Sequence, residues 1–142
     1  MTRVLGLLIV SLLFGCGASL QEIREQAPAH TGDFPRPYQV LARCVYDRLD
    51  MQIGSGGTPW APSASPLPVS LPDLHYRLDD QPRERRARVS ASSFGPPSSA
   101  LFEITIVPTA EGGSRVEYRQ RPLVLGSLDQ PTWAIVTDCG QS

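Results

Sequence analysis

Apolar positions along this chain follow two periods, and the change from one to the other divides it. Tyr38, Leu41, Ala42, Val45 and Leu49 fall on one helical stripe, which predicts a helix over residues 38–49. Pro35 and Pro37 suit its entry, where a missing N–H costs nothing. From Asp73 the period becomes two. Leu74, Tyr76 and Leu78 alternate with His75, Arg77 and Asp79; Ala87, Val89 and Ala91 alternate with Arg86, Arg88 and Ser90. Phe102, Ile104 and Ile106 alternate with Glu103 and Thr105, and Val116 and Tyr118 with Glu117 and Arg119. Asp80-Gln81-Pro82, Gly95-Pro96-Pro97 and Glu111-Gly112-Gly113 supply the turns. The expectation is a four-stranded antiparallel meander, dry on one face and wet on the other.

A three-residue Glu-Gly-Gly loop in the last turn would pair Ala110 with Ser114. That register sets Ile106 opposite Tyr118 and Glu103 opposite Arg121, keeping apolar with apolar and charge with charge. Residues 130–139 read as a short helix, with Asp129 as cap, Pro131 in its first turn and Gly140 as its stop. Trp133, Val136 and Cys139 then share a face. Trp133-Ala134-Ile135-Val136-Thr137 also fits a strand, so both readings stay open, with helix preferred. Two helices on one face of the sheet make an α+β layer fold for a single domain, residues 38–142.

Two stretches carry neither period. Residues 53–72 contain Gly54-Ser55-Gly56-Gly57 and prolines at 59, 62, 66, 68 and 72, which suit neither helix nor central strand. This is a long loop around Trp60, either functional or partly disordered. Residues 16–37 read as a flexible tether, poor in apolar side chains.

The chain opens with Arg3, an apolar run over residues 4–14, and then Leu13-Phe14-Gly15-Cys16. That run is too short for a hydrocarbon core, which takes roughly 20 apolar residues. The order of charge, apolar run and small residue is that of a secretory signal, residues 1–15. An ordinary signal cut near Ala18 is the plainer reading. The four residues ending at Cys16 resemble the lipobox of small bacterial lipoproteins, although Phe14 is bulkier than the residue usual there. The resemblance covers only the first sixteen residues and matches the later domain to no characterised family. It implies cleavage before Cys16 and acylation of its sulfur and freed amine, hence attachment to a membrane. Two or three acyl chains hold durably where one would be marginal. Gly17 in place of an aspartate implies the periplasmic face of the outer membrane.

With Cys16 lipidated, Cys44 and Cys139 remain, and an oxidising envelope makes a disulfide between them the natural expectation. A redox pair would want C-x-x-C spacing, which is absent.

Charge and motif tests narrow the chemistry. The 142-residue chain has 13 basic and 14 acidic side chains, and loss of Arg3 with the signal leaves 12 against 14. That near-neutral balance argues against nucleic acid. Every basic side chain is arginine and asparagine is missing, as a GC-rich genome would produce. Histidines are only His30 and His75, with no metal-ligand spacing around either, so no metal or cofactor is expected. No nucleophile elbow accompanies His75, and residues 54–57 lack the Lys-Ser/Thr of a phosphate loop. Asp79-Asp80 sit at a turn rather than across a cleft. No catalytic residues are assigned.

Arg83, Arg85, Arg86 and Arg88 form the sharpest charge cluster. Arg86 and Arg88 read either as an anion site or as a solvated face paired with Glu84, Glu103 and Glu117. The leading expectation is a non-enzymatic, lipid-anchored cell-envelope protein that binds another envelope protein or supports an assembly. The alternative is a module for an anionic glycan or lipid, using Arg86 and Arg88; a small hydrolase using His75 ranks last.

Overall fold

The computed structural model describes residues 19–53, 74–93, 100–121 and 126–142. Cys16, the segment up to residue 18, Trp60 and residues 54–73 of the proline-rich stretch lie outside them. The described chain is α+β. It runs α1 (Leu20–Arg24), β1 (His30–Phe34), α2 (Tyr38–Ile53), β2 (Leu74–Gln81), β3 (Arg86–Ser93), β4 (Ala100–Pro108), β5 (Ser114–Gln120) and α3 (Gly126–Gln141). A short 3-10 turn, Pro82–Glu84, joins β2 to β3, with Arg85 left-handed at its end.

All strand pairs are antiparallel and the sheet order is β1-β5-β4-β3-β2. The meander expected from the two-residue period is β2 to β5. It gains a fifth strand, because β1 pairs along the free edge of β5 with Gly32 opposite Val116. The tether expected over residues 16–37 therefore does not describe residues 20–34. Ser19 caps α1 by accepting from Glu22 N–H while the Glu22 carboxylate accepts from Ser19 N–H, a capping box that satisfies two orphan donors. Ile23 then becomes fully buried.

α2 and α3 share one face of the sheet. Leu41, Val45 and Leu49 from α2 and Val136 from α3 meet Val89, Phe102, Ile104, Ile106, Val116 and Tyr118 in one contiguous core. The Cys44–Cys139 disulfide joins the two helices, with Cα atoms 5.9 Å apart. The C-terminal segment is helical, as preferred, but begins at Gly126. Asp129 lies inside it and does not cap it. Nor does Gly140 end the helix: it is buried within α3, and a Cβ there would strike the ring of Phe34 on β1. Glycine is needed for this close approach of ring to helix.

The last hairpin departs from expectation by two residues. Pro108 faces Ser114, Ile106 faces Val116, Ile104 faces Tyr118, and Glu103 faces Arg119. The connection holds five residues, closed by Thr109 N–H to Gly113 O at 3.0 Å, with Gly112 at φ 87. A shift of two leaves every side chain on its expected face, so hydrophobic alternation alone does not distinguish the registers.

Tyr76 and Tyr118 are the polar burden of the core. Tyr118 donates to Gln120 Oε1 at 3.0 Å, whereas the buried Tyr76 hydroxyl has no hydrogen-bond partner among the described residues. Burial pushes both phenols above the ordinary tyrosine range, with Asp50 and Asp129 adding smaller effects on Tyr76 and Tyr118 respectively.

Two expectations follow. The disulfide spans 95 residues of sequence, so the Cys44→Ala/Cys139→Ala double variant should lose about 2–4 kcal/mol in urea unfolding. An unchanged midpoint would refute that. Because folding raises both tyrosine pKa values, the stability these two groups contribute should be fully present below about pH 10, the unfolded phenol value, and be lost as pH rises further. Tyr76→Phe should be neutral or stabilising by up to ~1 kcal/mol at pH 7 and should soften the alkaline loss. A marked loss at pH 7 would reveal a partner for that hydroxyl.

Candidate functional site

The sheet face opposite α2 and α3 carries most of the charged strand positions. Across its middle row stand Arg119, Glu103, Ser90 and Arg77; the next row holds Thr31, Glu117, Thr105, Arg88 and Asp79. Alternation predicts a wet face, yet Glu103 is only 2% exposed. α1 lies over it. Arg24 donates through Nε to both Glu103 oxygens at 2.9 and 3.1 Å, and through Nη2 to Oε2 at 2.6 Å.

A buried carboxylate needs such a partner, because its desolvation otherwise exceeds what the fold can supply. The same hydrogen bonds hold the Arg24 guanidinium proton more tightly than usual, against the opposing effect of partial burial. Beside this pair, Arg119 donates through Nε to Gln26 O at 2.9 Å and reaches Glu117 through Nη1 at 2.7 Å. Ala29 N–H donates to Tyr118 O at 2.8 Å. Residues 23–29 are thus fastened at four points, of which one is apolar and three polar.

Arg86 and Arg88 do not converge on a shared opening. Arg86 faces Glu84 at 3.5 Å, while Arg88 approaches Glu103 at 3.8 Å with its Nε buried and without a hydrogen bond. Both have a carboxylate neighbour, as the solvated-face reading expects, but Arg88 is 16% exposed rather than bathed in water. Arg77 and Arg121 on this face have no ion pair among the described residues. His75 is exposed on the outermost strand of the same face.

The seam between β1 and α3 gathers a second cluster. His30 Nε2 lies 2.8 Å from Asp129 Oδ1, and its ring stacks on Trp133 at 5.0 Å and on Tyr118 at 5.8 Å. A His–carboxylate pair is two-thirds of a hydrolytic triad; here the imidazole also stacks on two aromatic rings. The pair links β1 to α3. The sequence signs of both clusters are weak: Ser19-x-x-Glu22 before Ile23 is a legible capping box, whereas nothing local links Arg24 to Glu103 or His30 to Asp129.

An open depression at one sheet end is lined by Asp33, Phe34, Pro35, Val107 and Arg115 among others. Two of its three charged groups already face each other, since Arg115 donates to Asp33 through Nε and Nη2 at 2.9 and 3.0 Å, while Glu111 also lines it. That fork keeps the exposed Asp33 carboxyl below its usual pKa. Among the described residues no cluster of three His, Cys, Asp or Glu side chains could hold a metal ion, and no helix is long and apolar enough to cross a membrane. Comparison with protein-family models, with curated proteins and with solved structures returns no match.

Removing the fork should free the N-terminal segment. Arg24→Ala should cost about 2–4 kcal/mol, because Glu103 keeps its burial and loses its main partner. Amide exchange of residues 20–29 should accelerate well before that of β3 and β4. Uniform exchange across these segments would show that α1 does not depend on the pair.

Proposed function

We propose that this protein is a lipid-anchored cell-envelope lipoprotein that acts by binding another envelope protein and not by catalysis. The observation that carries the reading is Leu13-Phe14-Gly15-Cys16 at the end of a short apolar run. The Cys44–Cys139 disulfide supports it, since such bridges persist in oxidising compartments outside the cytosol. Periplasmic attachment to the outer membrane fits Gly17 after the cysteine.

Protein binding is favoured over the anionic-ligand alternative by the surroundings of Arg86 and Arg88, each of which already faces a carboxylate. The sheet ends in β1 on one side and β2 on the other, and among the described residues no further strand pairs with either edge, which leaves backbone groups for an added strand.

Cys16→Ser tests the anchor. The wild-type chain should fractionate with membranes and yield an N-terminal peptide heavier by its acyl chains; the variant should lose that mass and leave the membrane fraction. Retention of Cys16→Ser in the membrane would sink the reading. Crosslinking in intact cells from cysteines placed along β2, with Cys16→Ser as control, then asks whether one envelope protein is met there.

A further inference from the structure

We propose that the sheet face crossed by α1 lies flat against the phospholipid headgroups of the membrane that holds the protein; this rests on acylation of Cys16. Only Gly17 and Ala18 separate Cys16 from Ser19. Three trans peptide steps of 3.8 Å place the Cys16 Cα within about 11 Å of the Ser19 Cα, whatever path they take.

Ser19 belongs to the folded body. It caps α1, whose Ile23 is fully buried and whose Arg24 is forked onto Glu103. Followed backwards from Gln26, the chain passes from Arg119 on β5 to Glu103 on β4, and Asp79 on β2 is near enough to act on the Arg24 charge. α1 therefore lies on this face over β5 and β4, and the described chain begins at its N-terminal end, Ser19.

Magnitudes decide the orientation. The opposite face is covered by α2 and α3, a helical layer about 10–12 Å thick. An anchor within ~11 Å of the Ser19 Cα, at the N-terminal end of α1 on the first face, does not reach around both layers. A flexible tether of roughly 20 residues would reach about 25 Å on average and let the domain tumble.

The face is polar and of mixed charge. Thr31 and Arg77 are exposed, as are Glu22 and Glu25 at α1, and Arg77 and Arg121 lack ion pairs among the described residues, so both guanidinium and carboxylate groups are on hand for zwitterionic headgroups. Among the described residues the large exposed apolar side chains, Val40 and Met51, are on α2 instead. A face of this kind rests at headgroup level and does not insert. It also leaves the α2–α3 side turned toward the periplasm.

The acylated protein, disulfide intact, is reconstituted in vesicles of phosphatidylethanolamine and phosphatidylglycerol with a nitroxide-headgroup lipid as quencher. Fluorophores go on single cysteines at Gln21→Cys, Thr31→Cys, Val40→Cys and Met51→Cys, each checked for native circular dichroism. Quenching at 21 and 31 should exceed that at 40 and 51 about threefold or more, since a helical layer separates the two pairs. A Gly/Ser insertion of about 20 residues between Ala18 and Ser19 should erase most of that contrast. Equal quenching at all four positions, in protein whose mass confirms an acylated Cys16, would overturn the orientation alone. Absence of acyl mass on Cys16 would overturn the lipoprotein reading and the orientation with it.

Discussion

Glu103 places a carboxylate in the middle of a sheet, at a position with almost no contact with water. A charge there is tolerated only with a strong, well-oriented partner, and β4 cannot supply one from its own neighbours. Arg119 lies directly across on β5, but it is held by Gln26 O and Glu117. Arg88 stands off at 3.8 Å. The partner comes from 79 residues earlier, as the two-pronged hydrogen bonding of Arg24. Much else depends on this pair: it fixes α1 across the sheet, with Ile23 sealed beneath it.

The opposite layer is secured by different means. There the apolar faces of α2 and α3 supply the burial, and the Cys44–Cys139 bridge fastens one helix to the other. β1 links the two layers. One of its faces points toward α3, where the Phe34 ring occupies the space left open by Gly140 and His30 is held between Trp133 and Tyr118. On its other face Asp33 meets Arg115. The first and last described elements, α1 and α3, are thereby both tied to the sheet. If Cys16 carries the proposed lipid, its attachment is to a rigid body whose side toward the membrane is set by α1.

Where side chains repeat with a period, the sequence was a good guide. The stripe from Tyr38 to Leu49 became α2, and four alternating runs became β2 to β5 with their apolar positions inward. The failures have a common character. His30–Phe34 is short, contains a glycine and is only half-buried, so no alternation marks it as a strand. The final hairpin slipped by two residues because that change preserves every face. Gly140 looked like a helix stop because local rules do not register an aromatic ring arriving from β1.

The candidate site divides in the same way. The apolar run and Cys16, the two further cysteines, and the charged alternation of β3 to β5 are all properties of neighbouring residues, and the sequence by itself determined them. Burial of Glu103, the meeting of Arg24 with it, the His30–Asp129 tie and the choice of which face α1 covers were decided only in the tertiary structure. Each joins groups about 80 to 100 positions apart. The reason is the range of the forces: propensity and periodicity act over a few residues, whereas the cost of burying a charge is set by whatever the whole fold brings beside it.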